Sequence, residues 1–359
     1  MARTSKAKGP VQKKPSAKCA KTDEPKQVNL ALQGGGSHGA FTWGVLDRLL
    51  EDERIDIEAI SGTSAGAMNA SVLAYGLLKG GRSQARAMLG EFWQRVSQAA
   101  AMSMLQPTFY DRMTGTHNMG YSPGFYAMDW FTRTLSPYQY NPFDLNPLRD
   151  ILDDMVDFEA IRKNKEIKLF INATNVLTGK IKVFKTAELT RDMVMASACL
   201  PHMFQTVIVD EQPYWDGGYS GNPAIFPLFY HCASNDIIIV QINPLQIDAV
   251  PTQANEIFDR INEISFNSTL MREMRAIAFV KRLLKHHMID DPHYKDVRPH
   301  VIEAENLMND LGSASKFNAD WEFLQYLRDI GYQAASDWLK QHYAQLGVES
   351  SIDIDGTYL

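Results

Sequence analysis

Ile57-Glu58-Ala59-Ile60-Ser61-Gly62-Thr63-Ser64-Ala65-Gly66-Ala67-Met68 is the stretch around which this chain is read. A short apolar strand there runs into Gly62-Thr63-Ser64-Ala65-Gly66. That is the pattern of a nucleophile elbow: a serine in a strained turn between strand and helix, with a glycine two residues to either side leaving room for the backbone. After Ser64 the residues stay small (Ala65, Gly66, Ala67, Ala70, Ser71), with Met68 and Val72 at helical spacing, so the helix can pack close to a sheet. Ser64 is therefore expected exposed at a helix start, where the helix dipole favours a developing oxyanion. The elbow pattern alone arises by chance too often to decide a function. Two further glycine motifs add weight: Gly34-Gly35-Gly36-Ser37-His38-Gly39 upstream and Asp216-Gly217-Gly218 downstream.

The upstream motif follows Val28-Asn29-Leu30-Ala31-Leu32-Gln33, a short buried strand, and precedes a helix whose inner face is Phe41, Val45, Leu46, Leu49 and Leu50. Its glycines let backbone N–H groups face a common point. Strand, glycine loop, helix, strand (Ile55 to Ser61), elbow, helix is the order of a parallel α/β sheet, with loop and elbow on the same carboxyl edge, where such sheets bind ligands. A dinucleotide reading of Gly34, Gly36 and Gly39 fails on the second strand. That strand ends in Ser61-Gly62-Thr63-Ser64 instead of a ribose-binding carboxylate, and its acids Asp56 and Glu58 lie at its beginning.

Composition is that of an ordinary globular chain, 359 residues with 45% hydrophobic and 22% charged, compatible with one large α/β domain and an extension. No apolar run approaches the ~20 residues that span a bilayer, and no signal-peptide core is visible near Met1. Three cysteines, Cys19, Cys199 and Cys232, fit neither a disulfide framework nor a zinc site, and no metal or cofactor is expected. A cytoplasmic location, with peripheral contact at a membrane, is the expectation. The net charge of −6 is unevenly placed: residues 1–26 hold eight Lys and Arg against Asp23 and Glu24, a net +6, leaving −12 for the remainder. This arm has almost no large apolar residue and is expected to be disordered, either simply solvated or drawn to anionic lipid.

Further along, residues 101–147 form an insertion rich in Met and aromatics among Pro and Gly turns. It packs over the sheet or offers an apolar wall to an acyl chain. Leu148 to Ile161 reads as a helix, and Ile167 to Thr174 with Ile181 to Phe184 as an antiparallel edge hairpin. Met193 to Leu200 is a small-residue helix stopped by Pro201, and Ile237 to Ile242 is a buried strand. Beyond it the spacing is helical to the end, over Ile257 to Leu284 and Trp321 to Leu346. The expected organisation is a tail at 1–26, a catalytic domain at 27–245 and a helical extension at 246–359.

With these three motifs, the sequence resembles the patatin-like phospholipases over roughly residues 28–243. Gly34-Gly35-Gly36-Ser37-His38-Gly39 is similar to the family's glycine-rich oxyanion loop, Gly62-Thr63-Ser64-Ala65-Gly66 to its nucleophile elbow, and Asp216-Gly217-Gly218 to its aspartate motif. Ala196-Ser197-Ala198-Cys199-Leu200-Pro201 looks like the segment that precedes that aspartate. The resemblance implies a three-layer α/β/α sandwich with a largely parallel sheet and a Ser64–Asp216 dyad. It also implies an oxyanion hole of the Gly35, Gly36 and Ser37 N–H groups, with Gly34, Gly39, Gly62, Gly66, Gly217 and Gly218 as motif glycines. One departure is His38, where many members carry Arg or Lys, which puts a fixed positive charge near the oxyanion in doubt.

A serine hydroxyl is a poor nucleophile until a base takes its proton, and Asp216 would do so without a histidine relay; a triad through His202 is the competing mechanism. The expected activity is lipid acyl hydrolysis of the phospholipase A or lysophospholipase kind, on lipid or phospholipid, with peripheral contact to anionic membrane through residues 1–26 and no nucleic-acid partner. Acyl transfer on the same fold, and a lipid- or granule-binding protein with little catalysis, are the alternatives; product analysis with an added acceptor and fluorophosphonate labelling discriminate them.

Overall fold

The computed structural model describes residues 24–359 except 102, 104, 114–116, 248, 290, 292 and 310, so most of the basic arm lies outside the described residues. Its last lysine does not. Lys26 opens β1 (Lys26–Leu32), and its ammonium donates to the carbonyls of Tyr343 and Leu346.

Among the described residues eight strands make one sheet. After β1 come β2 (Ile55–Gly62), β3 (Lys168–Asn175), β4 (Ile181–Lys185), β5 (Val207–Val209), β6 (Gln212–Trp215), β7 (Asp236–Val240) and β8 (Arg298–Ile302), in the order β5-β6-β3-β2-β1-β7-β8 with β4 also on β3. The pairs β1/β2, β1/β7, β2/β3 and β7/β8 are parallel. The antiparallel hairpin at β3/β4 is as the alternation predicts, and β6 adds to the end of β3 through Thr174 and Asn175. Connections run outward from β1 through β2 and β3 on one side and through β7 and β8 on the other, so the strand order reverses at β1. Its carboxyl end is the switch point at which open α/β sheets form crevices.

The helices are α1 (Gly39–Glu51), α2 (Ala65–Ala100, broken at Gly80 and Gly81), α3 (Phe109–Met113), α4 (Pro123–Thr134), α5 (Pro137–Tyr140), α6 (Pro147–Met155), α7 (Phe158–Lys163), α8 (Arg191–Ser197), α9 (Phe226–His231), α10 (Ala254–Lys285), α11 (Glu305–Asn309), α12 (Trp321–His342) and α13 (Ile354–Tyr358). Alternate strand residues face opposite layers. Val28, Leu30 and Leu32 meet α1, α2, α8 and α12, whereas Ala31, Ile237 and Ile239 meet α9, α10 and α13. Each fully buried Leu or Ile in these layers contributes ~1.5–3 kcal/mol, and together they fix the sandwich.

Three features differ from the sequence expectation. The helix expected over Leu148 to Ile161 is two, because Asp157 turns the chain and caps α7 by accepting the Ala160 N–H. The region after residue 246 contains β8, a sheet strand that its composition hides: Pro299 interrupts it, which an edge position tolerates. That region also builds into the core, since α12 crosses α1 so closely that two glycines face the other helix's backbone. A Cβ on Gly44 would meet the Arg328 carbonyl oxygen at 1.8 Å, and one on Gly331 the Phe41 oxygen at 2.0 Å.

Gly331→Ala must therefore push α12 off α1, and a drop in melting temperature of several degrees is expected, corresponding to ~1–3 kcal/mol of overpacking. Gly90→Ala, whose Cβ would rest 3.5 Å from the Trp43 ring within α2, should leave melting unchanged or raise it by ~0.5–1 kcal/mol. Calorimetric scans of both variants check the pair; equal melting would show that the crossing yields without cost.

Candidate active site

The chain between β2 and α2 turns at Ser64, which stands at the start of α2 as the small-residue pattern predicts but is half-buried, not exposed, because the turn is packed against its neighbours. Ser64 sits at φ 54°, ψ −121°, a left-handed conformation costly for a residue with a side chain. It is held by its surroundings. Its N–H donates to the Ser197 hydroxyl (2.9 Å), and its carbonyl accepts the N–H groups of Ala67 (2.9 Å) and Met68 (3.1 Å). The flanking glycines are pressed against backbone: a Cβ on Gly62 would meet the Gly66 oxygen at 2.7 Å, and one on Gly66 the Leu32 oxygen at 2.3 Å.

The glycine loop lies directly against this turn. A Cβ on Gly34 would sit 2.7 Å from that of Ser64, and one on Gly39 would sit 2.6 Å from that of Ala65. Gly36 is at φ 59°, with the Lys316 carbonyl oxygen 2.5 Å from where its Cβ would be, so only glycine fits. The Gly34 N–H is already used, donating to Asn222 Oδ1 (2.7 Å), while the Gly34 carbonyl accepts from Asn243 Nδ2 (2.9 Å). The N–H groups of Gly35, Gly36 and Ser37 donate no hydrogen bond among the described residues.

Asp216 follows β6 and is 1% exposed. Its N–H donates to the Cys199 carbonyl (2.8 Å), its carbonyl accepts from Thr174 Oγ1 (2.8 Å), and its Oδ1 accepts the Gly218 N–H (2.7 Å). Burial pushes its carboxyl up to about 7, against the pull of the Gly218 N–H and of the Ser64 hydroxyl. Oδ2 has no hydrogen-bond partner among the described residues. Ser64 thus lies near enough to influence the carboxyl without a closed bond to it. Gly217 packs on the Asn172 carbonyl and Gly218 on the Phe266 ring of α10. Ser64, Asp216 and the glycine loop therefore meet at one place on the carboxyl edge of the sheet. His202 is exposed and makes no hydrogen bond to Asp216; its carbonyl accepts from Tyr140 Oη (2.6 Å).

Several residues that frame the site carry no signal in the sequence. Buried Gln33 accepts the N–H groups of Ile242 (2.8 Å) and Asn243 (2.9 Å) and donates to the Asn222 carbonyl, tying the end of β1 to two distant loops. Asn172 donates to the Gly217 and Gly221 carbonyls, and accepts from Thr63 Oγ1. On α10, Thr269 accepts the Asn222 N–H, and Glu273 accepts those of Ile225 and Phe226 while burial pushes its carboxyl up to about 8. Isolated Asn, Gln and Glu at these positions are ordinary in sequence, and only the fold brings them together.

His38 resolves into a structural group. Its Nε2 lies 2.7 Å from Ser315 Oγ, and that hydroxyl donates to the Gly312 carbonyl (2.7 Å), so Nε2 carries the proton and donates. Burial, then the nearby Lys316 ammonium, holds its pKa well below the usual histidine value. The folded state thus keeps His38 neutral while the unfolded chain protonates below about 6.5, and the stability tied to this group is present above that pH and lost as pH falls. Between pH 7.5 and 5.5, His38→Gln should lose ~1 kcal/mol less unfolding free energy than the parent. Urea titrations at the two pH values check this, and equal losses would mean that His38 takes up its proton in the fold.

The chain matches the patatin-like phospholipase family over residues 30–229. No curated protein matches it in sequence. Among solved structures it is similar to VipD from Legionella pneumophila, with 15% identity and a TM-score of 0.42, covering 89% of this chain and 67% of that one. It is similar also to the type III effector protein ExoU, with 15% identity and a TM-score of 0.34, covering 89% of this chain and 53% of that one, so it spans about half of ExoU. Among the described residues no helix is long and apolar enough to cross a membrane. The family match takes in the loop, the elbow and the aspartate motif alike, and the chain belongs to the patatin-like phospholipase family of lipid acyl hydrolases.

Proposed function

We propose that the protein is a carboxylic ester hydrolase of the phospholipase A or lysophospholipase kind, working through an acyl-Ser64 intermediate with Asp216 as its only acid–base group. The observation that carries this reading is the buried carboxyl of Asp216, with one oxygen unpartnered, beside a serine in a strained turn. Ser64 Oγ attacks the acyl carbonyl while its proton passes to the Asp216 carboxylate. The resulting oxyanion faces the free N–H groups of Gly35, Gly36 and Ser37, each worth roughly 10²–10³ in rate. Collapse expels the alcohol, which takes the proton back from Asp216. Water then attacks the acyl-enzyme, giving its proton to Asp216, and the acid leaves as Ser64 regains its hydroxyl.

A base works only when ionised. With the Asp216 carboxyl pushed up to about 7, kcat/KM should rise with pH through about 7, level off above it and fall below it. The raised pKa also costs folding stability as pH climbs from the ordinary aspartate range towards 7, so Asp216→Asn should melt higher than the parent at pH 8 while losing hydrolysis. Ser64→Ala and Asp216→Asn are each expected to lower turnover of p-nitrophenyl butyrate by at least ~10³-fold. Fluorophosphonate labelling located by mass spectrometry at any residue but Ser64, or full activity of Asp216→Asn, would refute the dyad.

Access to lipid follows from charge and exposed rings. Residues 1–26 carry +6, and Phe109, Trp130 and Phe143 of the 101–147 insertion are exposed at 74%, 60% and 83%. Each basic residue near an anionic surface is worth up to ~1 kcal/mol, fading beyond a Debye length of about 10 Å in 0.1 M salt. Deletion of residues 1–23 should weaken sedimentation with phosphatidylserine vesicles at low salt and leave hydrolysis of the soluble ester unchanged. Equal sedimentation of both forms would reduce the arm to a solvated tail.

A further inference from the structure

The two residues assigned to the chemistry come from opposite ends of the family-matched region, yet both are fastened to one short segment at the end of α8. The Ser64 N–H donates to Ser197 Oγ, and the Asp216 N–H donates to the Cys199 carbonyl, two residues further on. Ser197 is fully buried, and its neighbours lock the segment: Ala198 and Cys199 donate to Met195 and Ala196, and the Cys199 thiol donates to the Gln205 carbonyl. Thr190 caps the other end of α8 by accepting the Met193 N–H.

We propose that Ser197 is a positioning residue, its hydroxyl fixing the strained Ser64 turn at the distance from Asp216 that proton transfer requires. The inference rests on the Ser64–Asp216 reading above. A left-handed serine persists only where its surroundings over-determine it. Of the contacts that do so here, the bonds to its carbonyl are those of any helix start, while among the described residues the bond to its N–H is supplied by Ser197 alone. A turn released on that side can relax towards ordinary helical dihedrals. Such a change swings the Ser64 hydroxyl away from Asp216 but leaves the glycine loop and the acyl-binding surface in place. The effect therefore falls on the chemical step and not on substrate binding.

The test uses full-length protein and p-nitrophenyl butyrate. Ser197→Ala is expected to lower kcat about 10–100-fold with KM within two-fold of the parent, and to slow fluorophosphonate labelling of Ser64 in proportion. Because the Ser64 hydroxyl helps to hold the Asp216 carboxyl down, its retreat should also move the acid limb of the pH profile upward. Ser197→Cys, which keeps a weaker acceptor of similar size, should fall between Ala and the parent. Val297→Ala, a buried position just ahead of β8 on the sheet edge opposite the site, serves as the control for general destabilisation: the cavity should lower its melting temperature while kcat and the acid limb stay those of the parent. Parent-like kcat in Ser197→Ala, a loss confined to KM, or an equal kcat loss in the Val297→Ala control would overturn the proposal. A parent protein that neither turns over the ester nor labels at Ser64 would bring down the underlying reading as well, which separates the two failures.

Discussion

A carboxyl group shut away from water, with one oxygen held by the Gly218 N–H and the other without a partner among the described residues, is the constraint to which the surrounding structure answers. Left to itself, such a group would draw in water or rearrange to find a donor, since an unpaired buried polar atom is costly. It stays because its backbone has no freedom. Cys199 takes its N–H, Thr174 supplies a donor to its carbonyl, and Asn172 binds the carbonyls of Gly217 and Gly221 on the next turn. Each is itself rooted in the sheet or in α8. Among the described residues this network leaves Oδ2 of Asp216 without a partner, and burial of the carboxyl makes its raised pKa a property of the fold.

The same logic reaches the glycine loop from the opposite side of the molecule. Gly36 rests on the Lys316 carbonyl, His38 is bonded to Ser315, and α12, which starts just after this segment, packs Phe323 edge-on to the His38 ring and crosses α1 through Gly44 and Gly331. Helix α10 braces the aspartate loop with Phe266 and the neighbouring chain with Thr269 and Glu273. The chain after residue 246 therefore shapes the site as well as extending the fold. Its N-terminal stretch of α10 tells a different story: Ile257, Phe258, Ile261 and Ile264 stay exposed, although they continue the spacing of buried Leu270, Met274 and Ile277.

Local rules carried the sequence reading where the structure is local. Glycines flanking a serine, small residues after it, and apolar positions at helical spacing along α1 are dictated by contacts within one strand, turn and helix, so the elbow, the loop and the first parallel strands are visible in the chain itself. What escaped was set by partners far away. Strand β8 holds Pro299 and a buried histidine, and it is a strand because β7 lies beside it. Asn222 matters because Gly34 needs an acceptor, and Ser197 because Ser64 does; neither need is written next to the residue that meets it. The hydrophobic spacing of α10 promised one buried face along its whole length, but period reports the shape of a face and not whether a neighbour covers it.

His38 shows how a departure from a family pattern can be absorbed. Read alone, histidine in place of a basic residue removes a positive charge from the loop, since the imidazole is buried, neutral and donates to Ser315. A charge nevertheless stands in that neighbourhood. The Lys316 ammonium lies close enough to help depress the His38 pKa, and it is anchored by Asn243 Oδ1 at 2.9 Å, the same asparagine that donates to the Gly34 carbonyl. A cation in this position also explains why the histidine must stay neutral: a second charge buried beside Lys316 would meet both repulsion and desolvation, whereas an uncharged ring can act as the strut that holds the Lys316 segment against Gly36. The positive charge thus stands on the segment that braces the loop, while the loop itself carries none.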